Sequence, residues 1–306
     1  MVPLRAFGRH VDQQVSALAL GGYHLGSMPS ARECTRVIHA AIDGGITFLD
    51  NAWEYHEHES EIRMGRAIAD RRDRVFLMTK VCTHGRDAKV AMRQLHESLR
   101  RLKTDYLDLW QVHECVYDND PDRHFARGGV IEALDRAKKE GKVRFVGFTG
   151  HKAPEIHLRM LSFGYPFDSC QMPLNVYDAS FRSFEQRVLP EVLRQRIAPI
   201  GMKSLCGTGE SVKKKVIRIE DALRYAMSLP VATTVSGIDS MRVLRQNLHI
   251  ASAFTPLTRP QLERIRRRVA DVAADGRFER YKTSLEHDGD EGREQHGFPP
   301  QEALTG

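Results

Sequence analysis

The strongest constraint on the fold is a regular alternation of short apolar runs with amphipathic stretches along the chain. Runs typical of β-strands begin about every thirty residues, which is the length of one strand–helix unit. Eight strands are predicted, at residues 15–21, 47–51, 75–80, 106–113, 143–149, 168–172, 197–203 and 232–237. Amphipathic helices are predicted to follow them, at residues 31–43, 57–71, 87–102, 128–140, 154–162, 182–195, 217–228 and 240–252.

Eight such units without a Pro-, Gly- or Ser-rich linker predict a single-domain α/β fold, a (β/α)8 TIM barrel. An open, doubly wound sheet is the alternative, but the G-x-G-x-x-G nucleotide fingerprint is missing after the first strand. We predict a barrel domain over residues 1–285, which includes an N-terminal cap over 3–14. Thr258 and Pro260 mark the start of an extra helix over 258–277, and a polar C-terminal tail follows over 286–306.

Composition narrows the class of protein. The net charge of +6 comes from 46 basic and 40 acidic residues that are well mixed, so a nucleic-acid-binding surface is not indicated. No stretch approaches about 18 consecutive apolar residues, and the N-terminus has no apolar signal region. The five cysteines are scattered without a C-x-x-C pair, which is typical of reduced thiols. We therefore expect a cytoplasmic protein that binds neither a membrane nor nucleic acid.

Four chemically compatible side chains follow three consecutive predicted strands. Asp50 lies at the carboxyl end of the second strand with Tyr55 in the loop after it, Lys80 ends the third strand, and His113 ends the fourth. Catalytic residues of such barrels lie at this end, where each strand feeds the following loop. Neighbouring strands are about 4.8 Å apart, so these strand ends form one continuous wall. The four side chains are therefore expected to converge.

These four groups suit proton transfer at a substrate oxygen. The phenol of tyrosine has an ordinary pKa of about 10, which is too high for easy proton release at neutral pH. A nearby ammonium lowers that pKa, and we expect Lys80 to do so while Asp50 keeps the lysine charged and oriented. His113 can hydrogen-bond the substrate oxygen beside Tyr55. Such a site protonates an alkoxide or deprotonates an alcohol, as a carbonyl reductase requires.

Two other interpretations of residues 49–61 are a metal site and a charged helix start. His56 and His58 could share an ion in a loop, but in a helix beginning near residue 57 they would point about 200° apart. No further histidine pair follows a later strand, so we expect no metal. Acidic groups favour the first turns of a helix, where they meet the positive end of its dipole. That role fits Glu57, Glu59 and Glu61.

Four segments of the chain resemble the aldo-keto reductase family, and the similarity runs from about residue 4 to residue 265. They are GGITFLDNAWEYHEHESEIRMGRAI, VFLMTKV, SLRRLKTDYLDLWQVH and AKKEGKVRFVGFTG. The resemblance implies a metal-independent (β/α)8 barrel that binds a nicotinamide cofactor and reduces aldehydes or ketones to alcohols by hydride transfer. It also implies a catalytic tetrad of Asp50, Tyr55, Lys80 and His113, with Tyr55 as the general acid.

The resemblance further implies which residues hold the cofactor. It assigns the nicotinamide to Gly22, Tyr23, Asp50, Thr149, Gln171 and Met202, the diphosphate to Lys203, Leu205 and Gly207, and the adenosine end to Gly237, Arg242, Gln246 and Asn247. A lysine beside the diphosphate suits its charge, and the start of a helix favours phosphate.

The chain departs from the family pattern at both ends of this cofactor site. Gly150 stands where an asparagine usually binds the carboxamide, and Gly237 lies where a lysine commonly binds the 2′-phosphate. Arg242 and Arg245 could replace that lysine, whereas Asp239 would repel a phosphate. The expected cofactor is NADP(H), with NAD(H) as the alternative.

The expected substrate is a small-molecule carbonyl compound or alcohol. Tyr23, Glu54 and Glu114 are the candidate substrate residues, although Glu54 is expected to face solvent rather than a polar substrate. The polar loop 114–127 and the short loop 204–216 predict an open, polar pocket, which favours small or hydroxylated carbonyls over steroids. The alternative functions are a non-catalytic NADP(H)-binding barrel that senses redox state and a metal-dependent hydrolase. The sequence predicts no particular oligomeric state.

Overall fold

Eight parallel strands close into a barrel within the described part of the chain, which confirms the predicted (β/α)8 fold. The computed structural model describes residues 1–82 and 87–284, so the tail predicted over 286–306 lies outside the described residues. The strands are β1 (Leu4–Phe7), β2 (His10–Ser16), β3 (Leu18–Gly21), β4 (Phe48–Asp50), β5 (Phe76–Val81), β6 (Leu107–Val112), β7 (Val143–Thr149), β8 (Ser169–Pro173), β9 (Ala198–Met202) and β10 (Thr233–Gly237). Strands β3 to β10 follow chain order around the barrel, and β10 pairs back with β3.

The register of the barrel strands brings their carboxyl ends to one level. Gly21 pairs with Asp50 across β3 and β4, and Thr149 pairs with Gln171 across β7 and β8 on the opposite side of the barrel. The loops that follow these strands therefore surround one mouth.

A β-hairpin closes the other end of the barrel. Strands β1 and β2 are antiparallel, and Gly8 in the turn between them has a left-handed φ of 58°. The buried ring of Phe7 has its centroid 5.0 Å from that of Phe76 and 5.3 Å from that of Phe145. Phe7 belongs to the apolar cluster that fills the barrel interior. The barrel therefore has a short N-terminal cap, formed by the hairpin over residues 4–16.

Helices surround the barrel and bury one apolar face against it. The Ser30 side chain accepts a hydrogen bond from the Glu33 N–H at the start of one of them, and Thr258 and Gln261 form a capping box at the predicted extra helix. No described helix is long and apolar enough to cross a membrane. In chain order the helices of the described residues are α1 (Tyr23–Gly26), α2 (Ala31–Asp43), α3 (Glu59–Ile68), α4 (Ala88–Leu102), α5 (Asp120–Phe125), α6 (Val130–Lys139), α7 (Pro154–Ser162), α8 (Phe184–Arg187), α9 (Leu189–Arg194), α10 (Glu210–Lys213), α11 (Ile219–Ser228), α12 (Met241–Ser252), α13 (Arg259–Ala273) and α14 (Arg280–Thr283).

Two predicted elements are divided in the structure. The strand predicted over 15–21 is split, since its first part ends the hairpin at Ser16 and the barrel strand begins only at Leu18. The helix predicted over 182–195 consists of α8 and α9. Pro190 lies in the first turn of α9, and because proline has no N–H it cannot continue the hydrogen bonding of α8.

A buried lysine fixes the C-terminal segment to the barrel. Lys282 in α14 lies 2.6 Å from an oxygen of Asp178 and 3.0 Å from an oxygen of Glu279, and all three side chains are inaccessible to solvent or nearly so. The third contact of the ammonium is the backbone carbonyl of Phe181 at 2.8 Å. The cluster thus joins α14 to the loop that follows β8.

Candidate active site

Four strand-end side chains converge at the mouth of the barrel. Asp50 is the last residue of β4, Lys80 is the penultimate residue of β5, and His113 follows β6 directly. Tyr55 lies in the turn between β4 and α3, with its ring centroid 5.7 Å from that of His113. The structure therefore brings together the four residues that the sequence predicts as catalytic.

The ammonium of Lys80 is the centre of this group. It pairs with an oxygen of Asp50, donates to the backbone carbonyl of Asn51 at 2.7 Å, and lies 3.3 Å from the phenol oxygen of Tyr55. A lysine ammonium has three donors, so each one has a partner. Lys80 and Asp50 are 1% and 3% exposed, and a charge buried to this degree is costly unless it is paired. The carboxylate of Asp50 supplies that pairing.

The phenol of Tyr55 does not follow the expectation that Lys80 lowers its pKa. Desolvation in the barrel mouth raises the pKa of Tyr55 well above its ordinary value, and the negative charges of Asp50, Glu54 and Glu114 raise it further. The expectation is wrong for the resting site, mainly because the phenol is buried, and the charge of Asp50 adds to this effect. Tyr55 therefore keeps its proton throughout the neutral pH range.

Glu54 turns into the site, so the expectation that it faces solvent is wrong. One carboxylate oxygen lies 2.6 Å from Nδ1 of His113, and the other accepts a hydrogen bond from the Cys82 thiol at 2.5 Å. Burial lowers the pKa of His113, while the charge of Glu54 opposes this shift and is the smaller effect. The imidazole is therefore neutral at pH 7.

Gln171 connects the tetrad to the far side of the mouth. Its amide nitrogen donates to the second oxygen of Asp50 at 2.8 Å, and its amide oxygen is buried without a hydrogen-bond partner. Thr149, its register neighbour on β7, is also buried. A buried acceptor without a partner is costly, and the N–H₂ of a carboxamide ligand would satisfy it.

Gly22 and Tyr23 form the edge of the mouth that follows β3. A Cβ at Gly22 would lie 2.4 Å from the backbone oxygen of Asp50, so the close approach of these two loops requires glycine. Tyr23 begins α1, is 55% exposed, and has its ring edge-on to that of Tyr55 at a centroid distance of 5.3 Å. Tyr23 therefore offers a flat apolar surface beside the phenol.

The residues expected at the diphosphate lie at the end of β9 and in the loop after it. Met202 is partly buried above the barrel interior, and Leu205 packs against the outer core. Lys203 and Gly207 have left-handed φ values of 54° and 81°, and a Cβ at Gly207 would meet nothing within 4 Å. The ammonium of Lys203 is 5.1 Å from the ring centroid of Tyr281, so the C-terminal segment supports this loop.

The residues expected at the adenosine end lie where α12 follows β10. Asn247 is buried, donates to the hydroxyl of Ser236 at 3.0 Å, and has a side-chain oxygen without a hydrogen-bond partner. Arg245 and Gln246 line a groove of about 570 Å³ between α11 and α12. Arg242 is exposed in the first turn of α12. Arg242, Arg245 and Gln246 are therefore accessible on α12, whereas Asn247 is buried against β10.

Two residues at the mouth are not predicted from the sequence. The ring of His24 covers Gly237, since a Cβ at Gly237 would lie 2.5 Å from His24 Cε1, and Nδ1 of His24 is buried without a hydrogen-bond partner. Cys82 contacts Glu54 and lies two residues after Lys80. Residues two apart in an extended strand share a face, and this spacing is the signal that could have identified Cys82.

The histidine pair of the segment 49–61 lies in a turn. Residues 56–58 have left-handed φ values of 50°, 50° and 74°, so the helix predicted from residue 57 begins only at Glu59. Nδ1 of His58 lies 2.5 Å from the backbone oxygen of Trp53, while His56 packs against α1. The two rings therefore have separate environments.

The barrel with this strand-end site defines a (β/α)8 oxidoreductase. Residues 17–218, more than half of the chain, match the model described as the aldo/keto reductase family. The chain belongs to the aldo/keto reductase family.

Three known proteins illustrate the relationship. Aldo-keto reductase YhdN of Bacillus subtilis is 29% identical over 209 residues, which are 63% of this chain and 59% of that protein. The 6-dehydroglucose reductase of Novosphingobium aromaticivorans is 31% identical over 248 residues, 74% of this chain and 78% of that protein. The solved structure of an aldo/keto reductase from Klebsiella pneumoniae in complex with NADP and acetate has a TM-score of 0.71 at 24% identity, over 88% of this chain and 96% of that chain. The structural likeness shows that the fold is shared.

Proposed function

We propose that the protein reduces small aldehydes or ketones to alcohols with NADPH, and that Tyr55 is the general acid. The observation that carries this proposal is the position of Lys80, whose ammonium contacts both the carboxylate of Asp50 and the phenol of Tyr55 inside the barrel mouth. A structural salt bridge does not require a third group that carries a transferable proton.

Tyr55 donates its proton to the carbonyl oxygen as hydride reaches the carbonyl carbon. The nicotinamide supplies that hydride when it is bound. The high pKa of Tyr55 keeps the proton in place until the substrate oxygen acquires alkoxide character and becomes a strong base. The resulting phenolate lies 3.3 Å from the ammonium of Lys80, which stabilises it. Lys80 therefore acts on the phenolate that forms during transfer, rather than on the resting phenol.

His113 holds the carbonyl oxygen beside Tyr55. A neutral imidazole carries one N–H, and we assign it to Nε2, which then donates to the substrate oxygen. The assignment leaves Nδ1 as an acceptor on the side of Glu54. Asp50 keeps Lys80 in place, and Gln171 in turn holds the second oxygen of Asp50.

The cofactor would lie across the mouth from Gln171 to Asn247. The buried oxygens of these two side chains have no hydrogen-bond partner, and each would accept from an N–H₂ group, one on the carboxamide and one on the adenine. The NADP in the Klebsiella pneumoniae relative supports the same choice of cofactor. The proposed binding residues are Gly22, Tyr23, Asp50, Thr149, Gln171, Met202, Lys203, Leu205, Gly207, Gly237, Arg242, Gln246 and Asn247.

NADPH should bind more tightly than NADH, because Arg242 and Arg245 are exposed cations on α12 beside this end of the site. One charged hydrogen bond contributes about 1.5–3 kcal/mol, or roughly ten- to a hundredfold in affinity. Fluorescence titration of wild type and Arg242→Ala measures the preference, with Arg259→Ala on the exposed surface of α13 as the control. Equal or tighter binding of NADH by the wild type would show that Asp239 governs this end instead.

The substrate pocket should favour small, hydroxylated carbonyls. Glu54 and Glu114 place negative charge near Tyr55, and the ring of Tyr23 beside it is exposed. One relative is named 6-dehydroglucose reductase, which supports a polar substrate. Oxidation of NADPH is measured with a hydroxylated aldehyde and with an apolar one, in the presence of a chelator. The comparison tests the substrate preference, and the chelator tests whether the reaction needs a metal. Activity that disappears with chelator and returns with zinc would overturn the proposal.

A further inference from the structure

We propose that Glu54, Cys82 and His113 form a binding site for Zn²⁺ that overlaps the site of proton transfer. One donor atom of each residue lies within 4.8 Å of the others, and among residues 1–82 and 87–284 no other three His, Cys, Asp or Glu side chains come this close. Thiolate, imidazole and carboxylate are the three ligand types that zinc binds in proteins.

The spacing of the donors fits a tetrahedral ion with little movement. Zn–S bonds of about 2.3 Å and Zn–N and Zn–O bonds of about 2.0–2.2 Å place neighbouring ligand atoms about 3.4–3.6 Å apart. In the structure the Cys82 thiol and Nδ1 of His113 lie 2.5 and 2.6 Å from the two oxygens of Glu54. The donors would therefore separate by about 1 Å around an ion, and a fourth position would remain for water.

The contact between Glu54 and His113 depends on which nitrogen of the imidazole carries the proton. Nδ1 of His113 makes no hydrogen bond of normal geometry, although a Glu54 oxygen is 2.6 Å away. When the ring N–H is at Nε2, a lone pair on Nδ1 faces a carboxylate oxygen, and two acceptors repel each other. An ion beside this pair would accept electron density from both, and Cys82 would release its proton on binding.

The three ligands stand on parts of the fold that are already fixed. Cys82 and His113 directly follow β5 and β6, which are hydrogen-bonded to each other as far as Val81 and Val112. Glu54 comes from the turn after β4 and can adjust its side chain. Two ligands are therefore held in place by the barrel wall, and one can close on the ion.

Zinc at this site would inhibit the reduction. The inhibition rests on the proposed function, whereas the binding of the ion does not. The ion would occupy the space between Glu54 and His113 and shift the imidazole relative to Tyr55. A displacement of about 1 Å between groups that act together can lower a rate by about 10²-fold.

Cobalt(II) titration of the chelator-treated full-length protein tests the site directly, because thiolate bound to Co²⁺ gives a near-ultraviolet charge-transfer band. We expect the band in the wild type and in Cys34→Ala, which removes a buried thiol from α2, and not in Cys82→Ala. Added Zn²⁺ should displace the cobalt. Absence of the band in the wild type, or its persistence in Cys82→Ala, would overturn the proposal. Glu54→Gln removes a second ligand and replaces Cys82→Ala if that variant does not fold.

Turnover in the presence of zinc tests the inhibition. Zn²⁺ should inhibit the wild type and Cys34→Ala equally, and Cys82→Ala should need at least about tenfold more zinc, since even residues that only support metal ligands contribute 10–100-fold. Equal sensitivity of wild type and Cys82→Ala, or activation by zinc, would refute it. A cobalt band with the expected dependence on Cys82 and no carbonyl reduction under any condition would refute the proposed function and leave the metal site standing.

Discussion

Two lysines are buried in this protein to the same degree but with different partners. Lys282 in the C-terminal segment meets two carboxylates, those of Asp178 and Glu279, and a backbone carbonyl. Lys80 in the mouth also meets a backbone carbonyl, but only one carboxylate, and its remaining contact is the phenol of Tyr55. The charge of Lys282 is more than balanced in the resting structure. The charge of Lys80 is balanced by one carboxylate, and the neutral phenol beside it can become an anion.

The difference shows how one residue type can serve stability in one place and chemistry in another. An ammonium that is enclosed by carboxylates has nothing further to stabilise. An ammonium next to a neutral phenol stabilises the phenolate that exists only after proton transfer, which is the condition for accelerating a reaction. The cluster of Lys282 should therefore affect unfolding without affecting turnover, and the cluster of Lys80 should affect turnover most.

The largest expected effect is that of Tyr55→Phe on turnover. The substitution removes the phenolic oxygen beside Lys80 and leaves the ring, so kcat should fall by about 10²–10⁴-fold, the usual contribution of general acid catalysis. Affinity for NADPH should change little, because the phenolic oxygen of Tyr55 is not among its proposed contacts. Steady-state kinetics with fluorescence titration of the cofactor measures both. Near-normal kcat would mean that the proton comes from another group and that the two lysines do not differ in this way.

Lys282→Met should produce the opposite pattern. It leaves Asp178 and Glu279 buried without their counter-charge, and breaking a buried ion pair in this way costs about 3–5 kcal/mol. The free energy of unfolding, measured by denaturant titration, should fall by that amount, while kcat per folded molecule stays close to wild type. Lys139→Met on the exposed face of α6 is the control and should change neither quantity. Loss of kcat in the folded variant would show that the C-terminal cluster also serves the reaction.

The smallest effect is expected for Tyr281→Phe. Like Tyr55→Phe it removes a phenolic hydroxyl, but in the cluster of Lys282. The phenol of Tyr281 donates to Glu279 at 2.6 Å and accepts from the Asn175 amide at 2.9 Å. Leaving these buried groups with fewer partners should cost about 1–3 kcal/mol of stability. The ring that supports Lys203 remains, so kcat and cofactor affinity should stay near wild type. If Tyr281→Phe reduced kcat as much as Tyr55→Phe, hydroxyl loss alone could not distinguish the two clusters.

The sequence predicts the Lys80 cluster because strand periodicity fixes which residues end each strand. The local pattern alone identifies Asp50, Lys80 and His113. Because the parallel strands follow chain order around the barrel, their carboxyl ends then bring these residues together. Glu54 is different, since the left-handed residues 56–58 set the course of its turn, and no periodicity encodes such a turn.

The Lys282 cluster is outside the reach of sequence patterns. The contact between Lys282 and Asp178 joins residues 104 positions apart, and neither residue lies on a strand of the barrel. The sequence around Lys282 is polar and is typical of a solvated surface. Only the docking of α14 on the loop after β8 reveals that these charges are buried together.

The hairpin that closes the barrel has a consequence for synthesis on the ribosome. Its Arg5 donates to the backbone oxygens of Met227 and Val231 at 2.6 and 2.9 Å, and its Arg9 donates to that of Phe167 at 2.8 Å. The hairpin can therefore reach its final place only after residue 231 has been added. At about 5–20 residues per second this takes roughly 10–40 s. Throughout that interval the apolar ring of Phe7 has no completed barrel to enter, so the hairpin stays exposed for longer than the barrel strands that are synthesised after it.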